Sequence, residues 1–305
     1  MSSWRIVFLG TPDFAVESLK ALLQAGYNVV GVVTAPDKPA GRGQKLSESA
    51  VKQYAQEQGL PILQPIKLKD PEFIAQLSAL KPDLQVVVAF RMLPETVWNL
   101  PPQGTVNVHG SLLPKYRGAA PINWAILNGE KETGVSTFKL QHEIDTGDIL
   151  LQEKMPIGPN ETAGELHDRM KVEGAQLLVK TLQELANGTL KASQQQLNSD
   201  IKHAPKLFKT DCEIDWNNTS EQIHNQIRGL SPYPTAFTVL GDKTLKIFSA
   251  EIEPGKPEIP AGTFSSDHKS YLKFAATDGY LSLKEMQLEG KKKMGIEEFL
   301  RGIRL

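Results

Sequence analysis

Apolar runs alternate with helical apolar stripes over the first two thirds of the chain, the pattern of parallel strands joined by crossover helices. Residues 5–9 read as the first strand, and Gly10-Thr11-Pro12-Asp13 as the turn leaving it. Phe14, Leu19, Leu22 and Leu23 recur at helical spacing and stop at Gly26, a residue suited to a left-handed helix cap. A second strand is expected over 29–34. Asp70 before Pro71 places an N-cap and a first-turn proline ahead of Phe73, Ile74, Leu77 and Leu80, which predicts a helix. The run 84–90 is the most apolar of all and predicts a central strand buried on both faces. Strands over 105–108, 135–140 and 149–155 follow, with a short helix over 121–127 closed at Gly129. Thr162-Ala163-Gly164-Glu165 is a capping box, opening a helix that carries Leu166, Met170, Leu177, Leu178 and Leu185.

The pattern then changes. Residues 189–210 are polar, include Gln194, Gln195 and Gln196, and have no strong period, so they read as a linker over the surface with a boundary near 205. Beyond it come short strands with turn signals, such as 236–240 before Gly241-Asp242 and 271–275 before Asp278-Gly279, preceded by a helix opened at Thr219-Ser220-Glu221-Gln222. This texture predicts a small β-barrel, closed or partly open, with the oligonucleotide-binding (OB) fold as one option. No internal repeat of 20–50 residues is present. The fold class expected is α/β: a Rossmann-like, mostly parallel sheet with flanking helices, plus a smaller C-terminal β-barrel of OB-like type. The division expected is a first domain over 1–188, a linker over 189–205 and a second domain over 206–305.

Composition narrows the function classes. A chain of 305 residues suits about two domains, and 40% hydrophobic content excludes a disordered or fibrous chain. With 34 Lys+Arg against 35 Asp+Glu, a net charge of -1 supplies no overall field for polyanions or anionic membranes, so nucleic-acid contact must come from a local patch. Only residues 6–9 form an apolar run before Asp13 and Glu17, too short for a signal-peptide core, and no stretch approaches the ~18 apolar residues of a membrane span. Cys212 is the only cysteine, which excludes an intramolecular disulfide framework and a thiolate zinc cluster. The cytoplasm is the expected compartment, and triplets such as Asn160-Glu161-Thr162 are then chance glycosylation matches.

Candidate chemistry concentrates in 105–118. Asn107 and His109 stand two apart on a strand and so share a face, at the strand end where open parallel sheets place ligands. An amide that donates to a developing oxyanion, beside an imidazole that moves protons, suits acyl transfer. Spacing alone favours a satisfied strand-end histidine and a turn-forming asparagine. Downstream, His142-Glu143-Ile144-Asp145-Thr146-Gly147-Asp148 falls between two expected strands, where a carboxylate would orient the imidazole and favour its charged form. A solvated acidic turn is the alternative, and a metal site at His142, Glu143 and Asp145 lacks a second histidine at helical spacing. Gly10 stands alone where a dinucleotide fingerprint needs three glycines, and Gly41-Arg42-Gly43-Gln44-Lys45 lacks the spacing of a phosphate loop.

Asn107-x-His109, Ser111-Leu112-Leu113-Pro114 with Arg117-Gly118, and Asp145-Thr146-Gly147 together resemble the signature of the 10-formyltetrahydrofolate-dependent formyltransferase family. Gly10 to Ala15, the Ala40-Gly41-Arg42-Gly43 loop and Gly118-Ala119-Ala120-Pro121-Ile122 resemble the branch of that family acting on methionyl-tRNA. The likeness runs from residue 5 to Lys291-Lys292-Lys293-Met294. Phe90-Arg91 and Lys115-Tyr116 depart from the commoner Tyr-Gly and Arg-Trp, and Gln141 to Ile144 from the commoner small residues.

The resemblance implies catalytic Asn107, His109 and Asp145, a donor cleft at Ser111, Leu112, Leu113 and Pro114, 10-formyltetrahydrofolate as donor, and initiator methionyl-tRNA as acceptor. No metal, no membrane and a monomer are expected. The nearest alternatives keep the donor and change the amine, as in sugar-nucleotide N-formyltransferases and glycinamide ribonucleotide formyltransferase. A hydrolase of the same donor stands close behind these, and a nucleotide-binding oxidoreductase and a non-catalytic RNA-binding protein are readings from other classes. The loop 35–46, with Lys38, Arg42 and Lys45 against Asp37, is expected to enter the acceptor end of the tRNA. The second domain is expected to bind tRNA through some of Lys206, Lys209, Lys246 and the Lys291-Lys292-Lys293 run.

Overall fold

The computed structural model describes residues 3–40, 45–196 and 201–303. From the N-terminus the elements are β1 (Arg5–Gly10), α1 (Asp13–Gln24), β2 (Asn28–Val33), β3 (Lys38–Ala40), β4 (Lys45–Ser47), α2 (Ala50–Glu57), β5 (Ile62–Leu63), α3 (Pro71–Ala79), β6 (Leu84–Val88) and α4 (Glu95–Trp98). They continue with β7 (Thr105–His109), β8 (Arg117–Gly118), α5 (Pro121–Leu127), β9 (Glu132–Lys139), β10 (Ile149–Pro156) and α6 (Ala163–Ala186). The remainder is β11 (His203–Ala204), α7 (Ser220–Gly229), β12 (Ala236–Leu240), β13 (Lys243–Pro254), β14 (Phe264–Ser266), β15 (Leu272–Ala275), β16 (Gly279–Leu288), β17 (Met294–Gly295) and α8 (Ile296–Gly302). By compactness the chain forms two units, the first of Met1–Arg117, Gly134–Met155 and His167–Lys202, the second of Gly118–Thr133, Pro156–Leu166 and His203–Leu305.

Among the described residues the first unit holds a seven-stranded sheet in the order β10-β9-β7-β6-β1-β2-β5. The pairs β1–β2, β1–β6, β2–β5 and β6–β7 are parallel, and β7–β9 is antiparallel. Strand β6 is buried at all five positions, as its mostly apolar run predicts. It stops at Val88, two residues short of the expected run, because Ala89 takes φ 46 and leaves the extended region. Gln85 sits inside β6 and is tolerated there partly because its Oε1 accepts from Thr105 Oγ1 at 3.1 Å. One face buries Val7, Leu9, Val33, Leu77 and Val87 in a common core. Gly10 is required by packing: a Cβ there would lie 2.7 Å from the Ala15 Cβ.

Local signals act where expected. Asp70 accepts from the Glu72 amide at 3.0 Å and caps α3 behind Pro71. The Glu165 amide donates to Thr162 Oγ1 at 3.2 Å while the Thr162 amide donates to Glu165 Oε2 at 2.9 Å, the reciprocal bonds of a capping box before α6. The stretch 35–46, expected as a crossover loop, instead contains an antiparallel pair in which Pro39 faces Leu46.

The second unit curls an antiparallel sheet in the order β12-β13-β16-β15-β14, with β17 on β16. The register of β13 against β16 shifts around Ser249, an irregularity of the kind that bends a strand. Inside lie Ile223 and Ile227 of α7, Leu245, Phe274 and Leu281, with Trp216 stacked on Phe274 at 4.7 Å. Thr219 and Gln222 form the capping box of α7. His224 on α7 is buried, and that burial, aided by Arg228, holds its imidazole below the usual histidine range. Cys212 is also buried and donates its thiol to the Phe208 carbonyl at 3.3 Å. Among the described residues no helix is long and apolar enough to cross a membrane.

Candidate active site

Strand β7 lies between β6 and β9, with Asn107 opposite Val87 on one side and Phe138 on the other. Alternation along the strand puts Asn107 and His109 on the same face. Asn107 is half-buried and His109 is buried. The imidazole has two distinct neighbours: His109 Nε2 donates to the Tyr116 carbonyl at 2.9 Å, and Nδ1 stands 3.8 Å from Asp145 Oδ2. A carbonyl only accepts, so Nε2 carries a proton and Nδ1 is the nitrogen that faces the carboxylate. Phe138 closes the ring edge-on, at 6.4 Å between centroids. Tyr116 itself takes φ 60, and its amide donates to the Lys202 carbonyl at 2.6 Å.

Residues 111–114 leave β7 as a loop tied from beneath. Ser136 Oγ donates to the Ser111 carbonyl at 2.6 Å and accepts from the Leu113 amide at 3.1 Å. Gln152 Nε2 adds bonds to the Leu113 carbonyl at 3.0 Å and Ser136 Oγ at 2.8 Å, while Ser111 Oγ donates to the Lys115 carbonyl at 2.6 Å. Ser111 and Leu113 are buried by this lattice, and the half-buried Leu112 and Pro114 are the loop positions left reachable. Neither Ser136 nor Gln152 stood out in the sequence, since a polar residue that bonds distant backbone has no periodic mark.

Asp145 lies between β9 and β10, is 9% exposed and takes φ 55. Gly147 allows the loop to pass flush against β9: a Cβ there would lie 1.6 Å from the Lys139 carbonyl oxygen. Gln195, from the stretch read as a surface linker, donates to the carbonyls of both Asp145 and Gly147 at 2.8 Å. His142 turns away to the surface, with Nδ1 3.9 Å from Glu95 Oε2, and so does not join Asp145 as a metal ligand. Asp13, His167 and Asp168 do gather, but the Lys171 ammonium sits on both carboxylates, at 3.2 and 2.9 Å.

Lys38 is exposed on β3 and Lys45 begins β4, whereas Arg42 lies outside the described residues. The start of this strand pair is fixed by Asp37, which accepts from Lys52 Nζ at 2.5 Å and Gln64 Nε2 at 2.8 Å; the two bonds hold its carboxyl below the usual range. At the end of β6, Arg91 binds the Ile66 carbonyl at 2.9 Å as well as that of Pro65, bracing the neighbouring turn. In the second unit a cavity of about 560 Å³ is rimmed by Phe208, Lys209, Tyr233 and Lys246, with Glu289 also on its wall. Phe208 and Tyr233 are 60% and 83% exposed, and Lys206 lies 5.6 Å over the Phe208 ring. Lys292 and Lys293 are instead engaged by Glu298 and Glu285, at 3.0 and 2.8 Å.

An amide and an imidazole on one strand face, with a carboxylate against the ring, define a site suited to acyl-group transfer. Residues 4–182 match the family described as Formyl transferase, and residues 206–304 match its C-terminal domain. The chain belongs to the formyl transferase family. It is 53% identical over 310 residues to the methionyl-tRNA formyltransferase of Parabacteroides distasonis, covering 98% of this chain and 96% of that one. With the enzyme of the same description from Flavobacterium johnsoniae it shares 50% over 307 residues, covering 99% and 97%. The fold is also that of an N-formyltransferase from Helicobacter canadensis solved with folinic acid and dTDP-3-aminofucose, at TM-score 0.67 and 22% identity over 95% of this chain and 100% of that one. HypX from Aquifex aeolicus with tetrahydrofolic acid gives TM-score 0.67 and 18% identity, over 99% of this chain and 48% of that one.

Proposed function

We propose that this protein transfers the formyl group of 10-formyltetrahydrofolate to the α-amine of methionyl initiator tRNA. Formylation of methionyl-tRNA follows from relatives about half identical over nearly the whole chain. The observation that carries the residue assignment is the His109 ring, bonded at Nε2 to Tyr116 and facing Asp145 at Nδ1, on the strand face of Asn107. The unprotonated amine attacks the formyl carbon, and negative charge develops on the formyl oxygen. Asn107 and a proton on His109 Nδ1 stabilise that oxygen, with Asp145 as the counter-charge to the ring. Asp145, through a water, relays the amine proton toward the departing N10. Leu112 and Pro114 offer apolar contact to the donor, while Ser111 and Leu113 hold the loop in shape.

In this reading residues 1–188 form the catalytic part, 189–205 the linker and 206–305 the tRNA-binding part. Lys38, Arg42 and Lys45 meet the acceptor end. Lys206, Lys209 and Lys246 line the second contact, and the exposed Phe208 and Tyr233 give it stacking surfaces. The protein acts as a cytoplasmic monomer and needs no metal.

The test is to supply 10-formyltetrahydrofolate with charged initiator tRNA and measure formylmethionyl-tRNA, with UDP-aminosugars, glycinamide ribonucleotide and free methionine as competing acceptors. Formylation of the tRNA alone supports the reading. Preferential formylation of an aminosugar would replace it with a sugar-nucleotide N-formyltransferase.

A further inference from the structure

Gln195 has its full amide hydrogen-bonding capacity engaged by two separate segments of the first unit. Its Nε2 donates to the Asp145 and Gly147 carbonyls, each at 2.8 Å. Its Oε1 accepts from Arg117 Nε at 3.1 Å and Nη2 at 2.6 Å. A primary amide has two N–H donors and an oxygen with two acceptor sites, so these four bonds use all of them. The partners also fix the orientation of the amide, because a flip would set oxygen against two carbonyls and N–H groups against a guanidinium.

The segment so held is one that needs holding. Asp145 takes φ 55, a region that a residue with a Cβ occupies stably when its surroundings over-determine it. The two carbonyls bonded by Gln195 bracket Thr146, while Gly147 packs against the Lys139 carbonyl. The backbone is therefore fixed at and beyond the residue whose carboxylate stands 3.8 Å from His109.

We propose that Gln195, itself oriented by Arg117, is a positioning residue for formyl transfer: it sets the Asp145 backbone so that the carboxylate faces His109. The proposal rests on the catalytic reading of His109 and Asp145 given above. Gln195→Glu, although similar in shape, would place a carboxylate oxygen against two carbonyls and is expected to act like truncation.

The experiment is a double-mutant cycle on the full-length protein, with formylation of methionyl-tRNA as the readout. Gln195→Ala is expected to lower kcat ~10- to 100-fold, the scale of loss from an ångström-level misplacement. KM values for tRNA and folate should stay within about twofold, since no substrate contact is removed. In an Asp145→Asn background the same change should cost less than about twofold, because the residue acts through Asp145. A native kcat in Gln195→Ala, or an undiminished loss in the Asp145→Asn background, would overturn the proposal while leaving the catalytic reading intact. A native kcat in Asp145→Asn would overturn both. Should Gln195→Ala melt early, Arg117→Lys, which keeps the charge and loses the planar fork, is expected to lower kcat several-fold at unchanged KM; no change in kcat would overturn the proposal.

Discussion

Asp145 Oδ2 stands 3.8 Å from His109 Nδ1, beyond a direct hydrogen bond and within the reach of an ion pair. Contacts of this kind commonly tighten only when substrate arrives, so the separation suits a resting site. The opposite ring nitrogen is already bonded to Tyr116, which leaves one side of the imidazole for chemistry.

Asn107→Ala should therefore lower kcat by ~10²- to 10³-fold, the usual loss on removing one oxyanion donor. Its half-buried position on β7 supports no core packing of comparable weight, so the melting temperature should change little. Steady-state kinetics beside thermal unfolding separates the two, and a native kcat would remove Asn107 from the mechanism.

Ser136→Ala should act in the opposite sense, on stability first. The hydroxyl is buried and links the Ser111 carbonyl to the Leu113 amide, and its loss should cost about 1–3 kcal/mol in denaturant unfolding. A rise in KM for the folate should accompany it as the donor loop loosens.

Acid should destabilise the second unit through His224. Its folded-state pKa lies below the ordinary 6.5 because burial and Arg228 disfavour the cation, so the unfolded chain binds the proton more readily. The contribution is present above pH 6.5 and is lost as pH falls from there toward the folded-state value. His224→Gln should flatten that part of a plot of unfolding free energy against pH; an unchanged slope would assign the acid sensitivity elsewhere.

Lys209→Ala should weaken tRNA binding and reduce the slope of log affinity against log salt by about 1, as for one lost phosphate contact. Lys292→Ala should change neither, since Glu298 already engages that ammonium. Equal effects of the two would move the tRNA contact to the lysine run.

Arg42→Ala and Arg42→Lys should both sharply reduce formylation of initiator methionyl-tRNA while folate binding persists, because lysine lacks the planar bidentate donor set. A native rate in Arg42→Ala would remove the stretch 35–46 from acceptor recognition and favour the aminosugar reading.

Much of the frame was legible because burial leaves a periodic trace. The run 84–90 reads as a central strand and is one over Leu84–Val88, and the boxes at Thr162 and Thr219 cap helices as their spacing implies. The mostly parallel first sheet and the curl of the second unit followed from the alternation of element types, whereas the order of strands, which non-local pairing decides, was not read. Asn107, His109 and Asp145 were singled out by motif resemblance more than by spacing, which left a bland alternative open. The supports of the site were not legible: Ser136, Gln152 and Gln195 bond backbone 25, 39 and 50 positions away, and a polar side chain with a distant partner looks the same as one in water. The antiparallel pair of β3 and β4 was missed for a related reason, since its prolines and glycines read as loop formers.

The lone thiol has a practical consequence. Cys212 is 2% exposed, and burial, reinforced by Asp211, pushes its pKa up, so an alkylating reagent meets little thiolate in the native protein. Opening of the second unit would uncover it, and with no competing sulfhydryl anywhere in the chain every labelled molecule would report that one event. The sequence thus carries its own clock for breathing of the C-terminal β domain, readable by mass in the unmodified protein, with or without tRNA.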